Sequence, residues 1–223
     1  MYLPRHFAEP RLDIMHALMR DHPLCTLITT NADGIAGMPN ANAIPMYLIE
    51  DQGEFGVLRG HVARANPVWQ EHPKELDVLA VFQGPDSYVS PSFYPSKQEH
   101  GKVVPTWNYA TVHAWGKLHA IEDPIWLRAL LDQLTERHES EVGSQWKITD
   151  APNDYIAQML NNIVGIEIVI TKISGKWKVS QNRSAADQAG VLEGLRTANN
   201  ADKNKAMVKL VVQRNAPKNN LPG

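Results

Sequence analysis

Strand-forming residues fill a long run of the chain from Thr106 to Ile121. Aromatic and β-branched side chains dominate this run, as they do in strands that pack on a half-buried, pleated surface. The run ends just before Asp123 and Pro124, a pair typical of a helix start, and apolar residues then recur at helical spacing as far as Leu134. The pattern therefore predicts a long strand that leads directly into a helix.

Shorter apolar runs separated by turn residues indicate antiparallel strands earlier in the chain. One strand is predicted from Leu24 to Thr30, and Asn-Ala-Asp-Gly at 31–34 is typical of a hairpin turn. Two further apolar runs, 43–49 and 55–58, flank a second turn at 51–53. This arrangement predicts a meander of neighbouring strands.

The remaining signals add helices at the ends of the strands. Spacing predicts helices over 8–22, from Asn66 to about Glu71, around 155–163 and from Ser184 onward, and strands at 78–82, 166–170 and 176–179, the last after a turn at 174–175. Six or more strands with antiparallel hairpins predict an α+β barrel. Because no Gly-rich phosphate loop follows a strand, a Rossmann-type nicotinamide site is not expected.

Composition is that of an ordinary globular protein, with 43% hydrophobic and 21% charged residues over 223 positions. This length predicts one domain over 1–197, and the segment 198–223, rich in Asn, Lys and Ala, is predicted to be a weakly structured tail. A formal net charge of −2 argues against DNA binding by the main body. With Cys25 as its single cysteine and no apolar run of membrane-spanning length, the chain is expected to be cytoplasmic.

The first candidate site runs from the end of a predicted strand into the helix start at Asn66. Arg59, His61 and Arg64 would converge there on free backbone N–H groups, a combination that suits a phosphate dianion. The alternative is a solvated turn in which Asn66 only caps the helix. Spacing alone favours this second interpretation, because arginine is common near helix starts.

The second candidate site covers residues 82–109. Aromatic side chains alternate with hydroxyls in this stretch and suit the walls of a flat heteroaromatic ring, while Gln83 and Lys97 would donate to its carbonyl edge. The alternative is an extended surface loop held by prolines. A loop of about two dozen residues is unusual inside a compact domain, and its length favours a function.

The third candidate site, 177–184, again places a strand end before a helix start. Gln181 and Arg183 would hold a polar ligand, and simple capping by Ser184 explains the pattern equally well. The nine histidines show no spacing typical of a metal site, so no metal is expected. No Gly-x-Ser-x-Gly motif supports a hydrolase triad.

Taken together and in this order, the three sites resemble the PaiB family, also described as FMN-binding negative transcriptional regulators. The resemblance rests on the opening Met-Tyr-Leu-Pro-Arg-His-Phe and on the stretches 59–67, 81–109 and 175–183. It implies a flavin-binding split β-barrel, antiparallel and Greek-key-like with flanking helices, similar to pyridoxamine-phosphate oxidases. It also implies a homodimer in which residues of both subunits enclose FMN.

Carried over to this chain, the resemblance implies cofactor-binding roles for eleven residues. Those expected to serve the FMN phosphate and ribityl chain are Arg59, His61, Arg64 and Asn66. Those expected to face the ring or the phosphate from the central strands are Gln83, Lys97, Thr106, Trp107 and Asn108. Gln181 and Arg183 are expected to close the site.

The resemblance leaves the activity open. The leading hypothesis is a flavin-bound homodimer with a regulatory role and at most a weak or indirect association with DNA, because no basic recognition helix is evident. The second is an FMN-dependent oxidoreductase of a small substrate, since the cofactor carries the chemistry and the protein orients it. A haem-binding or haem-degrading relative is the third, and no axial histidine can be named for it.

Overall fold

The computed structural model describes residues 1–30 and 39–215. The chain groups into two compact units. The smaller unit comprises Met1–Arg11, Gln83–Val112 and Ser174–Gly223, and the larger unit comprises Leu12–Phe82 and His113–Ile173. The hairpin turn predicted at 31–34 lies outside the described residues.

Over the described residues the chain forms eight strands and seven α-helices, so the α+β prediction is confirmed. The strands are β1 Ala8–Glu9, β2 Leu24–Thr29, β3 Asn40–Pro45, β4 Tyr47–Ile49, β5 Val57–Ala63, β6 Val78–Val89, β7 Thr106–Ile121 and β8 Ile163–Lys178. The helices are α1 Leu12–Asp21, α2 Val68–Glu71, α3 Ser96–His100, α4 Pro124–Glu141, α5 Asn153–Asn161, α6 Ala185–Thr197 and α7 Ala201–Asn215. None of these helices is both long and apolar enough to span a membrane.

The strands form one antiparallel sheet in the order β3-β2-β6-β7-β8-β5-β4, and β1 pairs with β8. In the larger unit β5 pairs with β8 along its whole length, so that Leu58 lies opposite Ile168 and Gly60 opposite Ile166. Leu58, Ile166 and Ile168 are fully buried there. Burial of such side chains stabilises the fold by about 1.5–3 kcal/mol each.

The smaller unit has its own apolar cluster, which joins the end of β6 to the C-terminal helices. Its buried members are Val89, Tyr94, Val179, Val191, Leu195, Met207 and Val211. Phe93 packs on α6 where Gly194 leaves room, since a Cβ at that position would lie 2.3 Å from the ring. This packing holds the start of the 90–105 segment on α6.

Two predicted boundaries around β8 are wrong. Ile163 was predicted to end a helix and instead begins β8, and Ser174–Gly175 do not turn the chain, because β8 continues through them to Lys178. The strand continues because β1 supplies a partner there, with Glu9 opposite Gly175 and Ala8 opposite Lys176. That partner comes from the other end of the chain, so local residue types do not reveal it.

Two other segments are more regular than predicted. β6 extends through residues 83–89, which the sequence assigned to a long loop. The segment 198–223, predicted as a weakly structured tail, contains α7, whose Met207 and Val211 are buried. Tertiary packing of an apolar face stabilises such a helix, and composition does not report that packing. A domain boundary at 197 stays a prediction.

Candidate functional site

The eleven predicted site residues divide between the two units. The larger unit holds Arg59, His61, Arg64 and Asn66, on β5 and the turn that follows it. The smaller unit holds Gln83, Lys97, Thr106, Trp107, Asn108, Gln181 and Arg183. Each group is described by itself below.

Arg59 forms an ion pair, a hydrogen bond and a ring contact with its own neighbours. Its Nε donates to Oε2 of Glu167, its register partner on β8, at 2.7 Å, and Nη2 lies 3.4 Å from Oε1 of Gln52. The guanidinium also lies over the Trp126 ring, 5.4 Å from its centre. Trp126 reaches that place because Gly165 carries no Cβ, which would stand 2.4 Å from the ring. The charge of Arg59 is therefore neutralised within the fold.

Arg64 ties the end of β5 to two other segments. Nε donates to the backbone O of Asn161 at 2.8 Å, and Nη2 donates to the backbone O of Ile163 at 3.2 Å. Nη1 donates to Oε2 of Glu122 at 2.5 Å. A phosphate would have to replace these bonds, so the geometry favours a structural role for Arg64.

His61 and Asn66 differ from the arginines. A ring nitrogen of His61, and the side-chain nitrogen of the Asn42 that Asn66 contacts, have no hydrogen-bond partner among the described residues. Nδ1 of His61 is buried with no hydrogen-bond partner in the described part of the chain, and burial lowers the pKa of the ring, which is therefore neutral near pH 7. Oδ1 of Asn66 accepts from the N–H of Val68, the first residue of α2, at 3.1 Å, and its Nδ2 donates to Oδ1 of Asn42 at 2.9 Å. Nδ2 of Asn42 is buried and unpartnered among the described residues.

Buried polar atoms without partners are rare, and a polar ligand would satisfy these two. The helix that follows, Val68–Glu71, spans a single turn and adds little positive potential of its own. The sequence did not single out Asn42, because nothing in the residues of β3 marks it as a site residue.

In the smaller unit, hydrogen bonds join the start of β7 to the end of β8 and the turn after it. Nδ2 of Asn108 donates to Oγ of Ser180 at 3.0 Å, and the Ser180 hydroxyl donates back to Oδ1 of Asn108 at 3.2 Å. Both side chains are buried. Nζ of Lys178 donates to the Trp107 carbonyl at 2.9 Å and to the hydroxyl of Thr106. Three predicted residues, 106–108, thus meet the third predicted site.

Gln181 and Arg183 occupy the turn after β8 in different ways. Oε1 of Gln181 accepts from the Val179 N–H at 2.8 Å, and Nε2 donates to the His6 carbonyl at 3.0 Å, so this side chain holds the turn in place. The Arg183 guanidinium lies over the Tyr94 ring, 4.8 Å from its centre. No carboxylate among residues 1–30 and 39–215 forms an ion pair with it.

The same turn contains a strained backbone. Ser180 has a φ of 66°, a value that no other described residue except glycine shares. A non-glycine residue in this left-handed region costs about 1–3 kcal/mol and is found preferentially at functional sites. The bonds between Ser180 and Asn108 hold the residue in that conformation.

The other predicted residues of the smaller unit are exposed. Trp107 is 51% exposed and meets the edge of Tyr88, itself 47% exposed, at 5.8 Å between ring centres. Gln83 and Lys97 are also exposed. Tyr88 lies on β6 and Trp107 on β7, and two adjacent exposed aromatic rings form a surface suited to stacking against a flat ligand or a partner.

Sequence reasoning missed Lys176 and Lys178, which lie on one face of β8 beside Tyr109. Burial lowers the pKa of Lys178, and the positive charges of Lys176 and Arg183 lower it further. The signal was present in the alternation Lys-Trp-Lys-Val, in which both lysines share a strand face.

Comparison with known proteins supports the predicted family. A family model described as "Putative FMN-binding domain" matches residues 1–172. An uncharacterized protein of Emericella nidulans is 34% identical, over 96% of this chain and 97% of its own length. The Bacillus subtilis protease synthase and sporulation protein PAI 2 is 29% identical over 95% of this chain and 96% of its own.

Solved structures show the same fold at low identity. The flavocytochrome Anf3 from Azotobacter vinelandii is 13% identical with a TM-score of 0.55, and the match covers 79% of this chain and 72% of that one. An FAD and heme binding protein from Mycobacterium smegmatis is 15% identical with a TM-score of 0.53, covering 77% and 73% of the two chains. The predicted split-barrel fold is confirmed.

Proposed function

The chain belongs to the PaiB-type family of FMN-binding domains, and on that premise we propose that it works as an FMN-bound homodimer with a regulatory role in the cytoplasm. The observation that carries the proposal is the meeting of two predicted sites in the smaller unit, where Thr106, Trp107 and Asn108 contact the segment around Ser180. These residues lie about 72 positions apart in the chain.

The smaller unit by itself offers groups that suit FMN. Exposed Trp107 and Tyr88 offer apolar ring faces for stacking, and Arg183 offers a positive charge that no carboxylate of the described residues neutralises. The larger unit, taken separately, has unpartnered atoms of His61 and Asn42 that suit a polar ligand. Arg59 and Arg64 stay predictions as phosphate ligands, and their present bonds give each a structural role.

Bound FMN would supply the electron-transfer chemistry, and the protein would bind and orient it. Asn108 and Ser180 would fix the backbone that carries Trp107. His61 would act as a neutral hydrogen-bonding group, because burial disfavours its protonated form.

A regulatory role finds support in the distribution of charge. The smaller unit contains thirteen Lys and Arg against six Asp and Glu, a net charge of +7, whereas the larger unit carries −9. Any weak or indirect association with DNA would therefore use the smaller unit. If the protein recognises an operator, its affinity for an upstream promoter fragment should fall steeply with added salt and survive competitor DNA. Equal affinity for unrelated DNA sequences would contradict operator recognition.

An FMN-dependent oxidoreductase is the second candidate, and it requires a bound flavin ring that a small substrate can reach. A ring that a small substrate can reach would be reduced by a nicotinamide donor and reoxidised by substrate at a rate that saturates. If no electron donor reduces the bound flavin, the result would favour the regulatory role over the oxidoreductase.

The proposal is tested first by an absorption spectrum of the purified protein, an FMN titration of the apo form and a sizing measurement. We expect flavin bands, about one FMN per chain and the mass of a dimer. A colourless monomer that does not bind FMN would contradict the proposal, and a Soret band on titration with hemin would then favour the haem-binding alternative.

A further inference from the structure

Two lysines at the end of β8 form no ion pair with any carboxylate of residues 1–30 and 39–215. Nζ of Lys176 donates to the Tyr2 carbonyl at 3.1 Å and lies 5.3 Å from the centre of the Tyr109 ring. Lys176 is only 9% exposed. An ammonium group this deeply buried is normally paired with a carboxylate.

Lys178 repeats the arrangement two residues later. Its Nζ lies 6.0 Å from the centre of the same Tyr109 ring and donates to the Trp107 carbonyl and the Thr106 hydroxyl. Two ammonium groups therefore share one ring, and their mutual repulsion is not offset by an ion pair within the described ranges.

The carboxylates that the smaller unit does bury are engaged elsewhere. Glu9 forms ion pairs with Arg11 and Arg214, and Asp187 accepts from the backbone N–H and the hydroxyl of Ser96. Neither carboxylate forms an ion pair with Lys176 or Lys178. These two carboxylates therefore do not neutralise the positive charge of this strand end.

We propose that Lys176 and Lys178, with Arg183 adding a third positive charge, form a binding site for the phosphate group of a small molecule. Each ammonium retains at least one N–H beyond its protein bonds, and a phosphate dianion accepts several such charge-assisted hydrogen bonds. The two lysines stand beside Tyr109, which offers an apolar wall for the rest of the molecule.

The phosphate has two chemically equivalent sources. It is either the phosphate of FMN, in which case the inference deepens the proposed function, or that of a separate phosphorylated substrate or effector. The site itself does not depend on bound FMN, so it is tested on the apo protein with inorganic phosphate as the probe.

The experiment measures phosphate binding by calorimetry for the wild type, the single variant Lys178→Met and the double variant Lys176→Met/Lys178→Met. Lys172→Met is the matched control, because Lys172 lies on the same strand, is exposed and also stacks on an aromatic ring, Trp115, at 5.0 Å. Far-UV circular dichroism and melting curves establish whether each variant is folded. If the double variant does not fold, the single variant Lys178→Met still tests the site.

We expect phosphate to bind the wild type and Lys172→Met equally, with an affinity at least about ten-fold weaker in Lys178→Met. Competition between phosphate and FMN would identify the FMN phosphate as the occupant, and phosphate binding to FMN-saturated protein would identify a separate compound. Equal phosphate affinity in all four proteins, or no binding to the wild type, would overturn the site. Failure of FMN to bind while phosphate binds would contradict the proposed function alone.

Discussion

The arginines of the larger unit differ in their partners from three cations of the smaller unit. All five arginines of the larger unit, which are all described, form ion pairs with carboxylates: Arg20, Arg59, Arg64, Arg128 and Arg137. In the smaller unit Lys176, Lys178 and Arg183 instead lie against aromatic rings, and no described carboxylate pairs with them. The carboxylates of its own fold thus neutralise an arginine even where its sequence motif suggests a phosphate site.

Glu9 is the strongest exception to this contrast within the smaller unit, because its carboxylate pairs with two arginines. Its side chain is fully buried and accepts from Arg11 at 2.7 and 2.6 Å and from Arg214 at 2.9 Å. Glu9→Gln leaves both guanidinium groups facing a neutral amide, and we expect a loss of about 3 kcal/mol in the free energy of unfolding. Denaturant titration measures the loss, with exposed Glu193→Gln as control.

The pH dependence of the same variant sharpens the test. Burial alone would raise the pKa of the Glu9 carboxyl, but the hydrogen bonds and charge of Arg11 and the charge of Arg214 lower it overall. A carboxyl with a lowered folded pKa contributes stability above its unfolded pKa and loses it as pH falls through the folded value. Glu9→Gln should therefore remove part of the acid sensitivity, and an unchanged acid slope would contradict this.

Arg183 gives the next largest effect. If it is an unneutralised ligand-binding cation, Arg183→Met should weaken FMN binding about ten-fold or more, since a hydrogen bond to a charged group contributes about 1.5–3 kcal/mol. Arg196→Met, which removes the same charge from an exposed position of α6, is the matched control. A fluorescence titration in which both variants bind FMN equally would exclude Arg183 from the site.

Arg64 should show the opposite behaviour. Because its guanidinium already serves Glu122 and two backbone carbonyls, Arg64→Met should lower the free energy of unfolding by about 1 kcal/mol and leave FMN affinity within about a factor of two. Arg128→Met, which breaks an exposed pair within α4, controls for the loss of a surface ion pair. A large fall in FMN affinity with normal stability would restore Arg64 as a phosphate ligand.

His61 offers the smallest effect. Burial lowers its pKa, so the unfolded chain takes up a proton that the folded ring resists, and stability falls as pH drops below the unfolded value of about 6.5. His61→Gln should flatten this part of the stability curve, whereas His119→Gln, at an exposed position, should not. Chemical denaturation between neutral and mildly acidic pH measures the difference.

Local signals predicted the parts of the fold that local chemistry determines. The strand Thr106–Ile121 has the bounds that its residues indicated, and Asp123 caps the helix that follows. Asn66 accepts from the first N–H of α2. Ser184 also caps α6 as predicted, through the Asp187 N–H.

Contacts between distant parts of the chain explain what the sequence did not predict. The Asp187 carboxylate, three residues after Ser184, binds Ser96, 91 positions away. Glu167 neutralises Arg59 from 108 positions away, and no motif around Arg59 reveals that partner. The meeting of 106–108 with 178–183 depended in the same way on strand pairing, and only the family resemblance anticipated it.

The pairing of β1 with the end of β8 has a consequence for how the protein is made. The first strand needs residues 175–176 as its partner, and Glu9 needs Arg214, which follows it by 205 positions. At about 5–20 residues per second, the ribosome takes roughly ten to forty seconds to span that distance. Ala8 and Glu9 therefore leave the ribosome long before the residues that complete their native contacts.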